Sequence, residues 1–424
     1  MVARRLAGIA AATVLALTVA PAAHGQQPQR PGLEGADAAI LVDARDGTPL
    51  LEKNPSGRHA IASTTKLMTA LLTLERAPFG DVFPAADYQA AAAESKIDLR
   101  PGERMRVRDL FEALMLESAN DAAAALAEGI SGSRPAFVAA MNERAAELGL
   151  EDTSYANPIG LDDPLNYSSA RDLSELARRL LRDRRFAKVV DSPSATLESG
   201  ARARTVVNRN DLIATVPAVD GVKTGHTTGA GYVLVGSATG SNGAKVVSVV
   251  LGEPSEAARD SDTLALLRYG LAQYRRVPVL RKGRAVARAD VAYRDETVPL
   301  VPARSVAVTA RRDERIAERV AAPDELHGEI AAGSRVGTVA VLRDGKVVRR
   351  VPLLAGERVP GAGPLRRIAS ALGISLTALV LLVIVLVVAI VGIQIRRRRR
   401  ARSQEARRRA RARAREQRES AGNP

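Results

Sequence analysis

The 424-residue chain contains no cysteine, which excludes disulfide frameworks, thiolate metal sites and a cysteine nucleophile. Histidine is nearly as scarce. Of the four present, His24 falls in an N-terminal leader, and His59, His226 and His327 stand in neither a G-x-S-x-G nor an H-E-x-x-H context. A Ser-His-Asp hydrolase and a zinc hydrolase are thereby set aside, and no metal or other cofactor is expected. Internal repeats are absent as well.

Charge is absent from Ile368 to Ile395, and Leu376 to Ile393 is almost wholly Leu, Val, Ile and Ala. Such a run meets the ~20 residues needed to cross a hydrocarbon core, so a transmembrane helix is expected over 374–395. The formal net charge of +15 is concentrated just beyond it: from Arg396 to Pro424 thirteen arginines face three glutamates, a surplus of ten. This basic tail, 396–424, reads as the cytoplasmic side of a single-pass anchor under the positive-inside rule, in reach of anionic lipid headgroups, and no nucleic-acid partner is expected. At the other end, Arg4 and Arg5, the apolar run Leu6 to Ala20 and small residues through Gly25 form a secretory signal over 1–25. The intervening chain is therefore expected outside the cell membrane.

Within that span, Ala38 to Val42, a turn at Asp46-Gly47 and Pro49 to Glu52 predict a β-hairpin. A helix from Ser63 to Leu74, apolar on nearly every side, is expected inside a core. Further helices are predicted at Val107 to Leu116, Asp121 to Glu128, Pro135 to Leu148 and Ala170 to Arg182, then a hairpin of Tyr232 to Ala238 and Lys245 to Leu251, and a closing helix Ser255 to Tyr274. Strands flanking a helical middle predict an α+β domain over 36–274, with the terminal strands paired in one antiparallel sheet. Short strands and turns from Val277 to Val359 predict a small β-rich domain, 277–359, with a hairpin turn at Asp344-Gly345.

Chemistry concentrates at Ser63-Thr64-Thr65-Lys66. Residues three apart share a helical face, so the Ser63 hydroxyl and the Lys66 amine can meet, and a lysine inside an apolar helix loses its proton easily and serves as a base. A serine N-cap with a snorkelling lysine would leave the same pattern. Two further motifs shift the balance: Ser118-Ala119-Asn120 at the end of a helix, and Lys223-Thr224-Gly225 before the strand holding Tyr232. The chain has only eight lysines, and two of them, Lys66 and Lys223, stand in these three motifs. The order S-x-x-K, S-x-N, K-T-G is shared by penicillin-binding proteins and class A β-lactamases.

On these residues the chain resembles the penicillin-recognising serine enzymes, and more closely the low-molecular-mass D-alanyl-D-alanine carboxypeptidases among the penicillin-binding proteins. The likeness extends to Asn157-Pro158-Ile159-Gly160-Leu161, Ser168-Ser169-Ala170-Arg171-Asp172 and Lys223-Thr224-Gly225-His226-Thr227. It implies removal of the terminal D-alanine from peptidoglycan stem pentapeptides, with Ser63 as nucleophile, Lys66 as base, and Ser118 and Asn120 relaying protons and holding the substrate amide. Lys223 and Thr224 would bind the terminal carboxylate, Gly225 would admit the substrate backbone, and the backbone N–H groups of Ser63 and His226 would form the oxyanion hole. β-Lactams would be covalent inhibitors. The alternatives are a β-lactamase, for which the chain lacks a Glu-x-x-Leu-Asn pattern and any other evident glutamate to hold a deacylating water, and a non-catalytic membrane-anchored peptidoglycan-binding protein, which has no need of both lysines. Carboxypeptidase, endopeptidase and transpeptidase action share one acyl-enzyme and differ in the acceptor or in the peptide beyond the scissile bond.

Overall fold

A computed structural model describes residues 29–420, with side chains to 414; the secretory signal expected over 1–25 lies outside the described residues. Residues up to 277 together with 308–314 form one unit, and 278–307 with 315–420 form the other.

The first unit is built on a five-stranded antiparallel sheet whose spatial order is Pro49–Lys53, Ala38–Asp43, Lys245–Glu253, Gly231–Thr239, Val219–Thr227. Within this sheet the first strand in chain order therefore pairs with the last, Ala38 opposite Leu251 and Asp43 opposite Val246. Both faces of this sheet are covered, and the alternation of side chains across each strand decides which core each residue joins. Ile40, Val42, Val247, Val249 and Leu251 enter the core under the helical body, whereas Ala39, Leu41, Val246 and Val250 enter a second core with Leu266 and Leu267. Those leucines belong to the closing helix, Glu256–Ala272, capped by the Ser255 hydroxyl accepting from Ala258 N at 3.1 Å.

The helical body contains Lys66–Arg76, Asn120–Ser131, Arg134–Glu147 and Ala170–Leu180. Every residue from Lys66 to Thr73 is buried, as the lack of a polar face requires. Ser168-Ser169-Ala170-Arg171-Asp172 has a local reason as well: Ser169 Oγ accepts from Asp172 N at 3.1 Å and starts the helix Ala170–Leu180.

Two expectations need correction. The α-helix begins at Lys66, not Ser63, because Ala62–Thr65 is a 3-10 turn entered through Ala62 at a φ of 46°. The helix expected from Val107 to Leu116 is α-helical only over Val107–Glu112 and widens to a π-turn over Ala113–Glu117. The extra residue in that turn leaves Ser118 left-handed, at φ 61° and ψ 29°, and lets Ala119 N reach back to Ala113 O at 3.1 Å. Finally, Lys223-Thr224-Gly225 does precede the strand holding Tyr232, Gly231–Thr239, but it lies in an unexpected strand of its own, Val219–Thr227, at the sheet edge, where glycines 221 and 225 dilute the strand pattern.

The second unit holds a six-stranded sheet in the order Ile316–Ala321, Arg335–Arg343, Lys346–Ala355, Thr297–Pro302, Ala287–Val291, Glu325–Leu326. Its longest hairpin turns at Asp344 and Gly345, with φ of 46° and 78°, the positive pair a two-residue loop demands. Ala289, Val291, Val298, Leu300, Leu326, Ala355 and Val359 form its core. The short helix Pro364–Ala371 follows, and then the helix Leu376–Ser420, among the described residues the one helix long and apolar enough to cross a membrane. Its apolar side chains face outward, with Val385 64% and Val388 65% exposed, a surface that water would penalise and lipid would not. The helix continues without a break through Arg396–Arg400.

Candidate active site

The 3-10 turn determines the site's first contact. At three residues per turn, positions i and i+3 eclipse, so Ser63 stands directly over Lys66. Lys66 Nζ lies 2.9 Å from Ser63 Oγ, 2.7 Å from Asn120 Oδ1 and 2.6 Å from the carbonyl oxygen of Ile159. As an ammonium it donates to all three. As a neutral amine it keeps two N–H bonds for the two carbonyl oxygens, and its lone pair faces the Ser63 hydroxyl, which becomes the donor. This coordination thus accommodates the uncharged base without leaving a partner stranded.

Electrostatics favour that form. Lys66 is wholly buried, and burial, followed by the positive charge of Lys223, pulls its pKa well below the ordinary lysine value; Glu94 and Asp121 oppose the shift. Lys223 is also buried, 1% exposed, and donates to the Thr224 carbonyl at 3.0 Å. Burial brings its pKa down to about 7, aided by Arg209 and Arg259 and opposed by Glu117. Two interior lysines in one field cannot both hold a proton cheaply, and the pKa of each is lowered.

The turn is held from two sides. Asn157 Oδ1 accepts from the backbone N–H groups of Ile159, Gly160 and Leu161 at 3.2, 2.7 and 3.2 Å, and Thr69 Oγ1 donates to Pro158 O at 2.7 Å, which together aim the Ile159 carbonyl at Lys66. Gly160, at φ 96°, lies so close to the Ser63 turn that a Cβ would stand 2.0 Å from the Ala62 carbonyl oxygen. Gly225 closes the other side: a Cβ there would be 2.9 Å from Ser63 N, so the absent side chain leaves room for the strand to run against the Ser63 amide.

Ser63, Lys66 and Asn120 are joined by direct contacts, and Gly225 abuts Ser63. Ser118, 6% exposed, precedes the Asn120 helix in its left-handed conformation, and Thr224, 7% exposed, follows Lys223 on the edge strand. His226 is exposed, its ring stacked on Tyr232 with centroids 4.0 Å apart, so its imidazole is engaged outside the lysine cluster. Sequence reading missed the Ile159 carbonyl, although Asn157-Pro158-Ile159-Gly160-Leu161 carried the signal, and it missed Glu94, which accepts from Asn120 Nδ2 at 2.7 Å and has no motif to announce it. Among the described residues no group of three or more His, Asp or Glu side chains converges as a metal site requires.

Gly160→Ala should preserve the motif residues yet displace Ser63. We expect acylation by a β-lactam to fall at least about tenfold, with the catalytic unit destabilised by roughly 1–3 kcal/mol for strain at a positive φ. Stopped-flow acylation alongside thermal unfolding checks both, and an unimpaired acylation rate would remove this glycine from the account.

Comparisons with known proteins agree with the geometry. Residues 25–255 match the family described as D-alanyl-D-alanine carboxypeptidase, and residues 274–361 match the penicillin-binding protein 5 C-terminal domain. The D-alanyl-D-alanine carboxypeptidase DacF of Bacillus subtilis is 32% identical over 377 residues, covering 85% of this chain and 96% of that protein. Penicillin-binding protein 5 from Haemophilus influenzae superposes with a TM-score of 0.56 at 31% identity, over 78% of this chain and 99% of that one. The Streptomyces K15 DD-transpeptidase superposes with a TM-score of 0.54 at 32% identity, over 57% of this chain and 99% of that one. With a family match over more than half its length and relatives aligned almost end to end, the chain belongs to the D-alanyl-D-alanine carboxypeptidase family of serine peptidases.

Proposed function

We propose that the protein removes the terminal D-alanine from peptidoglycan stem pentapeptides by acyl transfer through Ser63, in an extracytoplasmic catalytic domain, 36–274, followed by the β-rich domain 277–359 and anchored by the span 374–395, with the tail 396–424 in the cytoplasm. The observation that carries this reading is the buried Lys66 amine between Ser63 Oγ and Asn120 Oδ1, with no solvent to keep it protonated.

The substrate's terminal carboxylate pairs with the Lys223 ammonium and the Thr224 hydroxyl, and the Asn120 amide holds the peptide bond region. Ser63 Oγ attacks the carbonyl carbon of the penultimate D-alanine while its proton passes to Lys66. The oxygen that gains charge accepts hydrogen bonds from the backbone N–H groups of Ser63 and His226. The proton reaches the departing amine through Ser118, free D-alanine leaves, and water hydrolyses the Ser63 ester. A β-lactam enters the same sequence through its strained carbonyl, but the opened ring stays attached and obstructs the water, so the penicilloyl ester outlives the peptidyl ester.

Penicillin carrying a membrane-impermeant label, added to intact cells, should attach to the peptide containing Ser63, and Ser63→Ala should abolish the label. In the same preparation stem pentapeptide should yield tetrapeptide and D-alanine. Persistent labelling of Ser63→Ala would refute the nucleophile; labelling only after lysis would refute the orientation; rapid penicillin hydrolysis with intact pentapeptide would replace the carboxypeptidase by a β-lactamase.

The pH dependence follows from the two lysines. Lys223 binds an anion only while protonated, and its pKa in the free enzyme is about 7, so kcat/KM for pentapeptide should fall, chiefly through KM, as pH rises through that value. On the acid side it should fall as Lys66 gains a proton. Lys223→Arg keeps its charge at every accessible pH and should shift the alkaline limb upward while lowering the plateau. Identical alkaline limbs in both proteins would contradict the role of Lys223.

A further inference from the structure

Behind Asn120 lies a carboxylate that the acyl-transfer scheme does not use. Glu94 sits in the stretch between the strands Val82–Pro84 and Arg104–Arg106, half-buried, with both oxygens occupied. Oε1 accepts from Ala91 N at 2.9 Å; Oε2 accepts from Asn120 Nδ2 at 2.7 Å and from the Tyr88 hydroxyl. The neighbouring acid, Asp121, has a different occupation: its oxygens accept from the N–H groups of Ile97, Leu99 and Ala122 at 3.2, 3.0 and 2.9 Å, which ties down the same stretch of backbone. Of the two carboxylates, only Glu94 bonds a side chain that itself bonds Lys66.

That chain of contacts has a direction. A primary amide can present either its oxygen or its nitrogen to Lys66, and the two orientations differ little in shape. A carboxylate can only accept, so Glu94 forces Nδ2 toward itself and leaves Oδ1 facing Lys66, where the measured 2.7 Å contact lies. The second Nδ2 hydrogen remains for substrate. Resting on the acyl-transfer reading above, we propose that Glu94 is a positioning residue for this reaction, orienting the Asn120 amide and biasing the proton affinity of the Lys66 base.

The charged groups around Lys66 are Lys223, which favours the neutral amine, and Glu94 and Asp121, which favour the ammonium; Glu94 in turn feels Lys66 and is held ionised by Tyr88, Asn120 and Ala91 against the opposing effect of its burial. Removing the Glu94 charge must therefore make Lys66 easier to deprotonate. Removing the side chain must in addition release the amide.

The test is the rate of acylation of the full-length protein by penicillin across pH, for the unmodified chain, Glu94→Gln, Glu94→Ala and Tyr88→Phe, with the adduct mapped by peptide mass. Glu94→Gln keeps the size of the side chain and should move the acid limb about one pH unit lower. Glu94→Ala should also lose about tenfold at the plateau, the effect of one charge-assisted hydrogen bond. Tyr88→Phe retains the carboxylate and should leave the acid limb in place. If Glu94→Ala fails to fold, Glu94→Gln carries the test alone. Unchanged acid limbs, whether or not thermal stability drops, would show that Glu94 merely pins its loop and would overturn the proposal. An adduct missing from Ser63 in the unmodified protein would instead overturn the acyl-transfer reading, and this proposal with it.

Discussion

Burying an amine is the constraint on which the catalytic unit depends. Moving an ammonium from water into a protein interior costs several kcal/mol even after relaxation, and the cost falls away if the proton is left behind. Lys66 meets this with a closed shell made of one hydroxyl and two carbonyl oxygens, each supplied by a different part of the chain. The 3-10 turn brings the hydroxyl, the helix after the π-turn brings the Asn120 amide, and the Asn157 turn brings the Ile159 carbonyl. The helical body can therefore be understood as the support for three oxygen atoms around one nitrogen. The sheet contributes the second lysine, whose positive charge adds to the burial of the first in lowering its pKa.

Much of this arrangement could be read from the chain alone, where periodicity or a fixed spacing carries it. The apolar runs Ala38–Val42 and Lys245–Leu251, each next to turn residues, announced strands, and the absence of any polar face on Lys66–Thr73 announced a core helix. The pairing of Ser63 with Lys66 followed from their separation. What escaped has physical reasons. A π-turn differs from an α-helix by one backbone register and leaves the hydrophobic pattern of Ala113–Glu117 unchanged. The strand Val219–Thr227 carries two glycines and a buried lysine, so its composition argues against the very element that holds it. Glu94 acts through one hydrogen bond from a segment without periodicity, and such contacts have no spacing rule.

The two ends of the described chain obey opposite solvent rules. In the catalytic unit nearly every apolar side chain of the sheet is buried, whereas Leu376–Ser420 begins with apolar side chains turned outward and ends in arginine. The first pattern needs water around it and the second needs lipid followed by water.

The protonation state of Lys66 is the central claim, and the small number of lysines makes it directly measurable. With ¹⁵N-labelled lysine in the full-length protein, eight side-chain amines contribute to the spectrum, and Lys66→Arg and Lys223→Arg variants assign the two interior ones. The account predicts that the Lys66 nitrogen loses its proton well before the exposed lysines do as pH is raised, and that Lys223→Arg, which keeps its positive charge beside Lys66, leaves it depressed. A Lys66 resonance that titrates together with the exposed lysines would contradict the account, because the base it assigns to Ser63 would then be an ammonium at the pH where the enzyme works.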